Sequence, residues 1–294
     1  MNPTFTLYHA NWSLCSQMVR VALSEKGIPY GAAHIRLCDQ YDEADNLSPW
    51  FLEINPTGVV PVLKIDDEIV RDSSYIIERL DEYTGTNDIR LWPKEISQRN
   101  QLREWLYATG MPDDAPMGKS LGTAIPIFSS SILAYMIKKL RFSSILKIIL
   151  KHPRRERAYL FAAIYFTPLA KAMPKTAFEG FAKGLVELEH ALSSEDDYLI
   201  GDFSHADINL MCDFHRLVDL KLDAVLKMPE LPKVAKYWQR LKSRPSYKTA
   251  ILDFQGEREA AVISEVFGST ESHFSEGLKQ KIRKKIRETA ESSP

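Results

Sequence analysis

Thr4 to His9 is a short β-prone run, and Ser16 to Lys26 carries Met18, Val19, Ala22 and Leu23 at helical spacing before Gly27 closes the pattern. Pro29 and Tyr30 lead into a second strand-like run ending near Leu37. The first unit is therefore βαβ, which requires parallel strands. A polar stretch from Asp39 to Asn46 precedes a short helical turn at Pro49 to Ile54. Val59 to Ile65, the turn residues Asp66 and Asp67, and Glu68 to Arg71 then predict a hairpin, followed by a helix from Ser73 to about Tyr83. From Ile96 to about Phe254 the pattern is helical, with breaks at Gly110 to Gly118, His152 to Arg154, Ser193 to Phe203 and Met228 to Pro232.

These runs divide the chain into an α/β unit over 1–84, a linker over 85–95 ending near Trp92 and Pro93, an all-helical unit over 96–254 with an insertion near 118–157, and a charged extension over 255–294. The extension is read either as a helix laid on the body or as a free tail. A length of 294 residues with 45% apolar composition is enough for two cores. Thirty-eight basic residues against 39 acidic ones leave a formal charge of −1, which gives no global attraction for nucleic acid. Cys15, Cys38 and Cys212 lack metal-ligand spacing, so no metal is expected and a reducing, cytoplasmic setting fits. Met1 to Tyr8 lacks the basic and apolar regions of a signal peptide. Ala124 to Ile137 and Ala158 to Ala170 are each short for a membrane span and each contain proline, so no transmembrane segment is expected.

Three loops carry candidate chemistry. Asn11 to Ser16 lies between the first strand and the first helix, where backbone N–H groups and the helix dipole stabilise an anion such as a thiolate. Helix capping also explains Ser13 and Ser16, and packing explains Cys15. In Asn55 to Pro61, Pro61 opens a strand and is a candidate cis proline; a cis bond would leave the N–H and C=O of Val60 for an extended peptide, whereas a trans proline needs no function. Asp72 and Ser73 open the third helix as a cap, or as a clamp for an ammonium and a carboxylate. Together the loops offer the contacts that a γ-glutamyl tripeptide thiol requires.

Leu7 to Leu23 (LYHANWSLCSQMVRVAL), Asn55 to Leu63 (NPTGVVPVL) and Asp72 to Leu80 (DSSYIIERL) resemble successive signatures of glutathione transferases, in order and spacing. Gly201 to Ile208 (GDFSHADI) is similar to the family's C-terminal capping motif, with Ser204 as cap, Asp207 answering from the third helical position and Phe203 against Ile208. The resemblance covers roughly residues 4 to 250 and implies an N-terminal thioredoxin-like domain (βαβαββα) and a C-terminal all-helical glutathione-transferase domain. It implies that Ser13 activates glutathione, that Val60 and Pro61 form the backbone edge, and that Asp72 and Ser73 hold the γ-glutamyl end. Cys15 is a secondary candidate. The residue for the glycine carboxylate falls near Asn46 and is left unassigned.

The function implied is a glutathione transferase of the detoxification type that directs the glutathione thiol at a hydrophobic electrophile, acting as a homodimer. Its electrophile pocket is expected from Ala10 to Trp12 and from helices near Trp105 to Met117. Pro49 to Phe51, the insertion and the extension are similar to bacterial β-etherases and to ganglioside-induced differentiation-associated proteins, which gives aryl-ether cleavage as one alternative. A glutathione-binding protein without catalysis is the other. Lys138 to Arg157 contains eight lysines and arginines and one acid among apolar positions spaced by three and four. It predicts an amphipathic helix with its apolar face packed on the fold or on a partner and its basic face wet, with a membrane surface as the alternative.

Overall fold

The structure, a computed structural model, describes residues 3–193 and 196–291. In β1 (Phe5–His9) Phe5, Leu7 and His9 point into the core and the residues between them are half-buried, as alternation requires. Helix α1 (Leu14–Lys26) begins two residues earlier than periodicity predicts, because the Ser13 hydroxyl accepts from the Ser16 N–H at 3.3 Å and starts the helix. It ends at Gly27, whose φ of 62° suits a residue without Cβ and whose N–H bonds the last turn. β2 (Gly31–His34) pairs parallel to β1, α2 (Pro49–Ile54) crosses over, and β3 (Val62–Ile65) and β4 (Glu68–Arg71) form the antiparallel hairpin before α3 (Ser73–Leu80). The sheet order is β2-β1-β3-β4, so the domain is the expected thioredoxin-like βαβαββα unit.

The rest of the chain is helical. α4 (Ile96–Thr109), α5 (Leu121–Phe128), α6 (Ser130–Lys138), α7 (Phe142–Lys151) and α8 (Arg155–Phe166) precede the short α9 (Met173–Thr176). They are followed by α10 (Phe178–Ala191), α11 (His205–Asp219), α12 (Pro232–Ser243), α13 (Glu257–Phe267) and α14 (Ser275–Glu291). α11 is buried along nearly its whole length and starts with the expected capping box, in which Asp207 accepts from the Ser204 N–H at 2.8 Å and the Ser204 hydroxyl at 2.6 Å. Of the two readings of the extension, the helix on the body is the one observed. Leu278 and Ile282 of α14 are fully buried against α10, and Lys281 and Lys285 pair with Glu179 at 2.9 and 2.8 Å.

The run Leu121–Lys138, which forms α5 and α6, is long and apolar enough to cross a membrane by length and composition, but more than half of it is buried inside the fold, as in a core helix. One expectation changes. Lys138 to Arg157 is not one helix. α7 turns Ser144, Ile145 and Ile148 inward, yet Phe142, Leu146 and Leu150 stay exposed, because an apolar stripe wider than the available groove cannot be wholly covered.

The first strand–helix unit is clasped by the helical domain. Buried Arg20 of α1 donates to the carbonyls of Ala250 at 2.8 Å and Asn11 at 3.0 Å, and its guanidinium lies over the Phe254 ring at 4.2 Å. Glu25 accepts from Arg244 at 2.6 and 2.5 Å and from the Ser246 hydroxyl at 2.5 Å. A further hold lies beside the Asn11–Ser16 loop. Asp219 of α11 accepts from the Trp12 indole N–H at 2.8 Å, and Arg216 donates to the Trp12 carbonyl at 2.5 Å.

Candidate active site

A cleft of about 220 Å³ lies where this loop meets the helical domain. One wall comes from the thioredoxin-like domain: Trp12 to Cys15, Leu37 to Gln40, Asn46 and Gly58 to Val60. The other is apolar, from Ile125, Ile132, Leu133, Met136 and Phe161, with Arg157, Arg216 and His152 among them. A mostly apolar pocket with a few directed polar groups is the usual form of a small-molecule site.

Ser13 sits at the mouth of α1 as its cap, so the capping explanation holds geometrically without using up the hydroxyl's capacity to donate. The N–H groups of Leu14 and Cys15 have no protein partner, as the first turn of a helix dictates, and both residues line the cleft. Cys15 is half-buried. Burial pushes its thiol above the ordinary range; neighbouring Ser73 and the charge of Arg157 oppose that, while Asp72 and Asp213 reinforce it. Burial is the largest of these influences, so Cys15 is held as the neutral thiol near pH 7.

The Val60–Pro61 peptide is cis, in agreement with the candidate assignment. Val60 lines the cleft, and neither its N–H nor its C=O is bonded to protein. Asp72 caps α3, accepting from the N–H groups of Ser74 at 2.9 Å and Tyr75 at 3.1 Å. Its φ of 70° with ψ of 127° is a conformation that non-glycine residues rarely hold. Asp72 and Ser73 do not line the cleft itself but adjoin it through Cys15. Of the five sequence-assigned residues, Ser13 and Val60 thus line the cleft, Pro61 follows Val60, and Asp72 and Ser73 adjoin Cys15. Asn46, the landmark for the unassigned glycine-carboxylate position, is already committed: its carbonyl accepts from the Cys38 N–H and its amide donates to the Gly58 carbonyl, both at 2.8 Å.

Sequence reasoning placed the apolar wall too early in the chain. Only Met111 comes from the Trp105 to Met117 region; the wall is built instead by α5, α6 and α8. Arg157, Arg216 and His152 also line the cleft and lie outside the sequence-predicted site residues. Arg216 is tied to Trp12 and Asp219, whereas the Arg157 guanidinium has no ion-pair or hydrogen-bond partner among the described residues. Burial lowers His152 to about 4, so it faces the cleft as neutral imidazole, and burial raises the neighbouring Asp39 carboxyl against the pull of Arg157. Among the described residues no group of His, Cys, Asp and Glu forms a metal site.

Residues 12–83 match the family model for the glutathione S-transferase N-terminal domain, and residues 153–245 match that for the C-terminal domain. The chain is 28% identical to glutathione S-transferase TCHQD of Arabidopsis thaliana over 277 residues, covering 87% of this chain and 93% of that protein. It is 31% identical over 121 residues to the human ganglioside-induced differentiation-associated protein 1-like 1, over 38% of this chain and 30% of that one. Among solved structures, the β-etherase LigF from Sphingobium sp. strain SYK-6 superposes with a TM-score of 0.66 at 22% identity, over 85% of this chain and 99% of that one.

Proposed function

The chain belongs to the glutathione transferase superfamily, and from that premise we propose that its cleft activates the thiol of glutathione for attack on a hydrophobic electrophile. The observation that carries this reading is the convergence on one corner of the Ser13 hydroxyl, two unpartnered N–H groups and the unpaired backbone edge of Val60. An extended tripeptide pairs with Val60 in strand fashion, its γ-glutamyl end toward Asp72 and Ser73 and its sulfur toward Ser13. The serine hydroxyl and the α1 N-terminus favour the thiolate, shifting a thiol that ordinarily titrates near ~8.5 toward neutral pH. The thiolate forms a C–S bond at the electrophilic carbon, the leaving group departs with its electron pair, and the thiol proton passes to solvent.

Cys15 is the rival nucleophile, and its raised thiol pKa speaks against it. Arg157, the uncommitted cation of the cleft, is close enough to Cys38 and Asp39 to act on both. It is therefore suited to the tripeptide's other carboxylate. Aryl-ether cleavage is the same displacement with phenoxide as the leaving group, and the likeness to the β-etherase fold makes such an ether a substrate to include. The reading includes a homodimer that covers Tyr75, Ile96 and Tyr107, exposed on α3 and α4; sedimentation at the mass of one chain would end that part.

The test is steady-state kinetics of Ser13→Ala and Cys15→Ala on a panel of aryl halides, epoxides and aryl ethers. Ser13→Ala is expected to lower kcat, raise the apparent pKa of bound glutathione and leave glutathione affinity within about tenfold, or ~1.4 kcal/mol. Loss of turnover in Cys15→Ala alone would move the chemistry to the cysteine. Tight glutathione binding without turnover on the whole panel would make the protein a binder.

A further inference from the structure

The outer face of the α7–α8 hairpin is unusually apolar for a surface. Phe142, Leu146 and Leu150 recur every four residues along α7 and are 54%, 41% and 76% exposed. On α8, Tyr159 and Phe166, seven residues apart, are 64% and 61% exposed. The Phe142 and Phe166 rings lie 6.4 Å apart, so the two stripes form one surface. Single exposed apolar residues need no explanation, but a contiguous patch marks a contact.

The unpaired charges around it have one sign. Lys147 and Lys151 follow Leu146 and Leu150 by one position and have no ion-pair partner among the described residues. Arg155 donates to the Ile149 carbonyl and lies over the Tyr159 ring at 5.2 Å, which fixes its cation beside the apolar surface. The acids close by are spent, Glu156 on Arg154 and Asp42 on Arg141.

We propose that this hairpin docks on an anionic lipid surface, with Phe142, Leu146, Leu150, Tyr159 and Phe166 entering the headgroup boundary and Lys147, Lys151 and Arg155 meeting lipid phosphates. A second copy fits less well. A two-fold contact sets the same patch against itself and would bring these cations face to face without acids between them. A basic, apolar-centred helix lying in the interface plane has the matching chemistry. The docking also has a consequence for the cleft. The inner side of α8 supplies Phe161 and Arg157 to it, so the cleft wall lies one helix, about 10 Å, from the lipid. Apolar electrophiles dissolved in the bilayer are then close at hand.

The test is flotation of the full chain with phosphatidylcholine vesicles with and without phosphatidylglycerol. Vesicles containing phosphatidylglycerol are expected to bind at least about tenfold more strongly, with the difference shrinking as salt rises. Lys147→Gln with Lys151→Gln should remove most of that difference. Leu146→Ser with Leu150→Ser should cut binding by about tenfold or more while leaving thermal unfolding and glutathione binding unchanged. Equal or absent binding to both vesicles overturns the proposal, as does binding that the leucine pair does not alter. So does a change in sedimentation coefficient of the leucine variant without vesicle binding, which assigns the patch to a second copy.

Discussion

Replacing Asp219 by alanine removes the group on which the Asn11–Ser16 loop hangs. Asp219 is buried and accepts from the Trp12 indole at 2.8 Å and the Gln255 amide at 2.9 Å, and it stands 3.4 Å from Arg216 Nε. Arg216 is itself buried, and burial already lowers its pKa. Without Asp219 its charge faces Asp213, whose carboxyl is pushed well above the ordinary range by burial and has both oxygens unpaired. Removing one partner of a buried ion pair costs about 3–5 kcal/mol, which includes the stranded hydrogen bonds and is a large part of a total stability of about 5–15 kcal/mol. Urea unfolding followed by tryptophan fluorescence should show the midpoint falling with little change in slope. Asp213 could ionise in place of Asp219 and mask the loss, so the measurement is repeated in an Asp213→Asn background, where the cost should be larger. Asp219→Asn keeps an acceptor for Trp12 and should lose less than alanine. A loss below about 1 kcal/mol in both backgrounds would mean that Arg216 is not held as a buried charge, and the account of how Ser13 is positioned would fall with it.

Esterifying the glycine carboxylate of glutathione is expected to weaken binding to the native protein by about tenfold, and Arg157→Ala should abolish the difference between ester and acid. A difference that survives in Arg157→Ala, read by calorimetry, would place that carboxylate elsewhere. His205 is fully buried, neither ring nitrogen has a partner, and burial lowers it to about 3. The unfolded chain, with its histidine near ~6.5, therefore binds the extra proton. His205 contributes its stability above pH ~6.5 and loses it as pH falls toward 3. His205→Leu should gain about 2 kcal/mol on the native protein between pH 7 and pH 5, and parallel stability–pH curves for the two would show that the imidazole is not buried neutral.

The order βαβαββα, the strand registers' approximate places and the capping box at Ser204 were legible in the chain because each is a local pattern: alternation, a turn pair, a cap with its answering acid. That Ser13 caps α1, that Asp72 caps α3 and that Pro61 is cis were legible because loops at strand ends carry such features in short contiguous motifs. Even α1's true start at Leu14 follows from Ser13 as cap, although hydrophobic spacing alone begins it later. What no local pattern contains is the far wall of the cleft. Phe161, Arg157 and Arg216 reach the Ser13 cleft across well over a hundred residues, and only the packing of α8 on the 38–47 loop and of α11 on α1 brings them there. The same holds for Lys138 to Arg157. Its periodicity shows that one face is apolar but not how much of that face the fold can cover. Tertiary packing took Ile145 and Ile148 and left Phe142, Leu146 and Leu150 in water, because burial depends on the area a neighbouring element offers and not on the hydrophobicity of the helix that seeks it.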